Sequence, residues 1–255
     1  MVIFIEESSA NASGKAAEIV INLLKSKPNA VLGLATGGTP VRLYGELIDA
    51  NSRGEISFKS VETFNLDEYL GIPAADANSY RSFMDRNFFD RIDIDKSKTH
   101  ILDGMASDVA AVCKSFERSI EHAGAKDLQI LGLGADGHIG FNEPGSSFTS
   151  RTHVEFLAQK TIEDNARFFG GDRSKVPERA ITMGIATIMS AKKILLLAFG
   201  DKKSDAVKAM VEGEINESVP ASILRNHPDA TIFLDKAAAS KLDRRNPNIF
   251  DCTAR

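Results

Sequence analysis

VLGLATGGTPVRLYGELI, residues 31–48, contains a strand, a turn and the start of a helix in one short stretch. Residues 30–34 form an apolar run of strand length, and Leu43, Leu47 and Ile48 recur at helical spacing. Between them stands Thr36-Gly37-Gly38-Thr39-Pro40, with Thr39 placed to cap the helix and Pro40 in its first turn. A strand that turns at once into a helix is the repeating unit of an α/β fold.

The same beat continues in both directions. Residues 2–5 read as a strand and 13–25 as a helix; strands at 61–66, 99–102, 128–133, 194–199 and 231–234 then alternate with helices around 80–89, 109–120, 181–189 and 201–211. This predicts an α/β fold, a mostly parallel open sheet with helices on both faces, modified Rossmann-like, in a single domain spanning 1–255. Residues 136–177 lack clear punctuation and exceed what a structural connection needs, which predicts binding loops or a mobile lid over the active site.

Composition narrows the function classes. At 255 residues and 43% hydrophobic the chain can bury a sizeable core. Its 31 basic and 35 acidic residues give a net charge of −4 and are spread along the chain, so no nucleic acid and no acidic membrane surface is expected as a partner. Of two cysteines, Cys113 shares a helical apolar rhythm with Val109, Val112, Phe116 and Ile120, a core placement; no disulfide framework or metal-ligand spacing is present. The apolar start meets Glu6 and Glu7 at once, unlike a signal peptide, and no apolar run approaches the roughly 20 residues of a membrane span. A cytoplasmic protein is expected.

Ligands of open α/β sheets bind beyond the carboxyl ends of the strands, so the loops there are read first. The TGGTP turn offers free amides at a helix start, suited to an anion, although a plain strand-to-helix turn has the same residues. It lacks the Lys of a nucleotide-hydrolysing loop. After the next strand, Asn65-Leu66-Asp67-Glu68-Tyr69 places two acids side by side. One of them, desolvated, would suit proton abstraction near neutral pH; helix caps and solvated turns use the same residues. Residues 131–145 spell GxGxxG from Gly132 to Gly137, but Gly140, Pro144 and Gly145 deny the following helix that a dinucleotide requires. What remains on that loop is Asp136, His138 and Glu143, an acid/base relay, a structural histidine or, in principle, a metal site with a single imidazole.

Several blocks together, TGGTP (36–40), TFNLDEYLG (63–71), LGLGADGHIGFNEPGSSFTSRTH (131–153), ARFFG (166–170), VPERAITMGIATI (176–188) and MVEGEINESVPASIL (210–224), resemble the glucosamine-6-phosphate deaminase (isomerase) family in order and spacing. The resemblance implies conversion of glucosamine 6-phosphate and water into fructose 6-phosphate and ammonia. It implies Asp67 as the proton-transfer base and His138, assisted by Asp136 and Glu143, as the ring-opening group. It places the phosphate on Gly37, Gly38 and neighbouring Thr39, on Arg167 and on Lys203, the last two of which otherwise read as solvated surface charges. It implies no metal, nucleotide or pyridoxal cofactor, and a small-molecule amino sugar phosphate as the partner.

Within the same architecture, a 6-phosphogluconolactonase needs no base at carbon 2, so the intact NLDEY block favours the deaminase; the galactosamine epimer stays open as a substrate. A non-catalytic sugar-phosphate-binding regulator would be free to lose Asp67 or His138, and both are present. Allosteric family members place basic side chains shortly after the SRT segment. Here His153, Val154 and Glu155 follow, and the tail from Ile249 to Arg255 has no tyrosine, which predicts no activation by N-acetylglucosamine 6-phosphate. Family members differ in assembly, so a homo-oligomer also stays open.

Overall fold

The apolar runs pair into one large sheet. Its strands are β1 (Val2–Glu6), β2 (Val31–Leu34), β3 (Glu62–Asn65), β5 (Thr99–His100), β6 (Leu128–Gly132), β9 (Ile194–Ala198), β10 (Ala230–Asp235) and β11 (Ile249–Asp251). They lie in the order β11-β1-β10-β9-β6-β2-β3-β5, and every pairing is parallel. The computed structural model describes residues 1–253; Ala254 and the tail's Arg255 lie outside the described residues.

Helices α1 (Ser9–Ser26), α2 (Val41–Ser52), α3 (Tyr80–Asn87), α4 (Val109–His122), α5 (Gln159–Asn165), α6 (Ile185–Met189) and α7 (Ser204–Glu212) complete the fold. Every residue of β2 and of β9 is buried, so both faces of the sheet are covered there, as unbroken Val/Leu/Ile runs require. Leu32, Leu34, Ile130, Leu196 and Ile232 pack with Val20 of α1 and Leu47 of α2 in one core. Each such side chain stabilises the fold by about 1.5–3 kcal/mol relative to exposure. Cys113 of α4 is buried, as its rhythm indicates.

Helix α1 begins four residues before the apolar rhythm does, because the Ser8 side chain accepts the Asn11 N–H and caps it. The corresponding expectation for Thr39 is corrected: α2 starts behind Pro40 with no side-chain cap, and Tyr44 N–H donates to the Pro40 carbonyl at 2.9 Å. The Gly-Gly turn thus reaches the helix with its amides uncovered by Thr39.

A second, antiparallel sheet of three strands, β4 (Asp67–Tyr69), β8 (Arg179–Thr182) and β7 (His153–Phe156), has the order β4-β8-β7. Leu66 joins the sheets: its N–H donates to Leu34 of the large sheet, and its carbonyl accepts the Met183 N–H at 2.6 Å. The helix expected over 181–189 is therefore half strand. Ile181 and Thr182 are β-branched and pair with Glu68 and Asp67, while Gly184 is pressed so close to Ser150 that a Cβ would stand 2.3 Å from its carbonyl oxygen. Residues 136–177 are likewise more than a loop: they hold β7, α5 and single turns of 3-10 helix over a small core of Tyr69, Phe141, Ile162 and Phe169.

The large sheet has a switch in direction that places the site. From β2 the chain crosses through α2 to β3 on one side, whereas β6 is followed in the sheet by β9 on the other. The crevice between the carboxyl ends of β2 and β6 is where ligands bind in such sheets, and the TGG turn and the loop after Gly132 both open into it.

Candidate active site

A cavity of about 150 Å³ occupies that crevice. Asp67, the first residue of β4, enters it with its side chain 95% shielded, at 5% exposure. Burial, reinforced by the charge of Glu68, pushes the Asp67 carboxyl up to about 8. Glu68 faces the other way, as alternation along a strand dictates. Its carboxylate accepts the N–H groups of Tyr69 and Tyr80, each at 2.9 Å, and of Arg81 at 3.0 Å, and so anchors the start of α3. Burial raises the Glu68 carboxyl and these three donors oppose the rise. Of two adjacent acids, one is left to react and the other holds a helix.

His138 lines the same cavity. Its ring rests against Gly134, where a Cβ would lie 2.4–2.5 Å from three imidazole atoms, so only glycine leaves room for this ring position. Nδ1 approaches Asp136 Oδ1 at 2.7 Å and Glu143 Oε2 at 3.8 Å. The first approach is short, although it does not line up as an aligned hydrogen bond. Burial lifts the Asp136 carboxyl, yet the imidazole and the His138 backbone N–H outweigh it and hold the group at about 2. Asp136 is thus ionised at neutral pH. Facing Nδ1 with Glu143, it favours a proton there and leaves Nε2 as the free nitrogen.

Asp136 and Glu143 do not line the cavity; they stand behind the ring. Glu143 is 6% exposed, and its other oxygen accepts the Ala158 N–H at 3.2 Å. The ligand atoms of Asp136, His138 and Glu143 lie within 4.8 Å of one another, close enough to hold a cation as well as to share a proton.

Gly37, Gly38 and Thr39 form another wall, with Arg167 and Lys203 nearby. Arg167 stands on the 3-10 turn Ala166–Phe169 that follows α5, its guanidinium 4.8 Å from the Phe168 ring centroid. Lys203 immediately precedes α7. Burial lowers its pKa, Asp164 opposes that shift, and Arg167 adds to it. These two cations, 36 residues apart in the chain, share the cavity with the glycine amides. Of the site residues expected from the sequence, Asp67, His138, Gly37, Gly38, Thr39, Arg167 and Lys203 line this one crevice, Thr39 as lining and not as a cap, while Asp136 and Glu143 reach it only through His138.

Other contributors carry no sequence signal. Tyr80 lines the cavity at the first turn of α3, where Glu68 and the Ser79 cap place it. The Thr182 hydroxyl accepts the Phe141 N–H at 3.1 Å, and buried Asn142 donates to the carbonyls of Ile139 and Met183 at 2.8 and 2.9 Å, tying the His138 loop to β8. Asp164, also in the wall, stands in a segment that has no readable period.

Comparison with known proteins agrees with this geometry. Residues 5–233 match the model of the family described as glucosamine-6-phosphate isomerases/6-phosphogluconolactonase. The chain is 53% identical over 242 residues to a glucosamine-6-phosphate deaminase of Shewanella loihica, covering 95% of this chain and 90% of that one. It is 51% identical over 240 residues to the deaminase of Thermoanaerobacter pseudethanolicus, covering 94% of each. A solved monomeric glucosamine-6-phosphate deaminase superposes with a TM-score of 0.92 at 46% identity, over 94% of this chain and 99% of that one. A 6-phosphogluconolactonase from Trypanosoma brucei shares the fold, with a TM-score of 0.76 at 20% identity over 95% and 98% of the chains.

Proposed function

Since the chain belongs to the family of glucosamine-6-phosphate isomerases and 6-phosphogluconolactonases, we propose that it converts glucosamine 6-phosphate and water into fructose 6-phosphate and ammonia. The observation that carries this reading over the lactonase is Asp67, a buried carboxylate raised to about 8 in the same cavity as His138. Lactone hydrolysis has no use for a base at carbon 2, and an aldose-to-ketose conversion requires one.

The phosphate dianion is received by the amides of Gly37 and Gly38 with Thr39, by Arg167 and by Lys203. Binding energy from this remote group positions the reacting carbons. His138 takes the proton of the anomeric hydroxyl and delivers it to the ring oxygen, which breaks the bond from carbon 1 to that oxygen and leaves an aldehyde. Ionised Asp136, with Glu143, keeps the imidazole oriented for this shuttle.

Asp67 then removes the proton from carbon 2. The electron pair moves toward the aldehyde oxygen, which takes up a proton given up by the substrate's own ammonium group to form an enolamine; the proton held on Asp67 then returns to carbon 1, leaving a protonated imine at carbon 2. Water adds to that carbon and ammonia departs. Every step is a proton transfer, an addition or an elimination assisted by one, within the reach of carboxylate and imidazole groups that typically contribute about 100- to 10,000-fold each.

Replacement of Asp67 by Asn tests the assignment. The amide keeps the shape and cannot accept the carbon 2 proton, so turnover falls by about 100-fold or more while substrate affinity persists. Wild-type turnover in Asp67→Asn would remove Asp67 from the mechanism.

A cytoplasmic location is supported by two unpaired cysteines among the described residues, Cys113 and Cys252. No helix of the described residues is long and apolar enough to cross a membrane.

A further inference from the structure

The block 210–224 matches the family and gives no group to the chemistry above. Its contacts are with the loop that carries His138. That loop is closed from within by the Gly134 N–H donating to the His138 carbonyl at 2.9 Å and the Gly137 N–H donating to Gly134 at 3.2 Å. From outside, Val219 closes it: Gly137 has φ +91°, and Val219 Cγ1 lies 2.8 Å from where a Cβ of residue 137 would stand. The Ala221 N–H donates to the Gly137 carbonyl at 2.9 Å.

The same segment grips the loop again further along. The Glu217 carbonyl accepts the Gly145 N–H at 2.7 Å, and its carboxylate accepts the Phe148 N–H at 2.9 Å. The segment is itself knitted: the Ser222 hydroxyl accepts from Asn216 N–H and donates to the Asn216 carbonyl, both at 3.1 Å, and Val219 N–H donates to that carbonyl. It emerges from α7, whose opposite end begins just after Lys203. With 9 residues α7 is about 13 Å long, a rigid spacer between the phosphate cation and this segment.

We propose that residues 214–222 form a brace that positions His138 for ring opening, with Val219 bearing on Gly137 and Glu217 as the second anchor. The brace rests on the assignment of His138 to that step. It acts one residue away from the imidazole, and through α7 it holds the imidazole and Lys203 in one frame. Val219 and Glu217 touch no substrate and are positioning residues.

The test compares Val219→Ala, Val219→Ile and Glu217→Ala in the full chain. Displacement of a reacting group by about 1 Å costs on the order of 100-fold, so Val219→Ala lowers kcat about 10- to 100-fold. KM and the affinity for an open-chain amino alditol 6-phosphate, which needs no ring opening, stay as in the wild type. Val219→Ile keeps the methyl group on Gly137 and restores kcat. Glu217→Ala removes the acceptor of Phe148 without emptying the Gly137 contact, and carries the test alone should Val219→Ala not fold. Wild-type kcat in the folded variants overturns the proposal, as does a loss of analogue affinity in step with kcat. His138→Asn separates the two readings: if it retains turnover, the role of His138 fails; if it is inactive while the brace variants are not, only the brace fails.

Discussion

Asp67 and Glu68 are chemically alike and one peptide bond apart, and the strand pleat gives them different surroundings. Glu68 faces three amide donors and Asp67 a cavity. With its carboxyl near 8, Asp67 is mostly protonated at pH 7 in the free enzyme. As kcat/KM reports the free enzyme, it should rise about tenfold per pH unit below pH 8 and level off above it. A flat profile from pH 6 to 9 would contradict this. Stability follows the opposite course. The folded state holds the Asp67 proton more tightly than the unfolded chain, whose Asp titrates near 3.9. Its contribution is fully present below about pH 4 and is lost as pH rises toward 8. Asp67→Asn is free of that loss, so its unfolding free energy should gain on that of the wild type between pH 5 and 8, by at most about 1.4 kcal/mol per pH unit. Equal pH dependence in the two proteins would show that the carboxyl is not raised. The local residues name this pair of acids without choosing between them, and only the family resemblance points to Asp67; physically the choice depends on which side of β4 meets the cavity.

At the scale of elements, the cavity is built by turns that end strands and by one short helical segment. Arg167 and Lys203 come from elements 36 residues apart in the chain, and in the proposed binding mode each offers the phosphate a charge-assisted bond of roughly 1.5–3 kcal/mol. Arg167→Ala and Lys203→Ala should therefore each raise KM about 10- to 150-fold with a smaller effect on kcat. Unchanged KM in both would move the phosphate elsewhere. Strand β7 makes a second prediction. His153 Nε2 and the Ser146 hydroxyl both contact Glu155 Oε2, at 3.3 and 3.0 Å, and Arg151 is engaged by Glu117 at 2.7 Å and Glu121 at 3.0 Å. Among the described residues, the two cationic groups here, Arg151 and His153, are thus each already paired with carboxylates, which disfavours a second dianion at this place. Substrate kinetics should be hyperbolic and unaltered by N-acetylglucosamine 6-phosphate; sigmoidal kinetics that this compound makes hyperbolic would contradict it. Seven of the eight parallel strands are readable as apolar runs, most plainly Ile194–Ala198, which is buried throughout, whereas β11, with two of its three residues exposed, is not. β7, β8 and α5 were not, because 4 residues of strand or 7 of helix are too few to show a period, and β8 leads directly into α6.

For the whole molecule, a net charge of −4 repels a dianionic substrate at long range, so in the proposed binding mode capture depends on the local field of Lys203, Arg167 and the amides at the switch point. Chain topology brings them there: β2 and β6 are neighbours whose connections leave in opposite directions, and the loops after both meet over one crevice. The position of that crevice followed from alternation of strand and helix. The convergence of Arg167 and Lys203 on it did not, because nothing in their local sequence distinguishes them from surface charges. In the proposed mechanism, Asp67 and the Asp136–His138–Glu143 relay suffice for the chemistry. The most direct measurement is ammonia and fructose 6-phosphate release from glucosamine 6-phosphate by the purified protein, with a strong chelator and no added cofactor. Undiminished turnover is the predicted result; turnover abolished by the chelator and restored by a divalent cation would recast Asp136, His138 and Glu143 as metal ligands and contradict this cofactor-free mechanism.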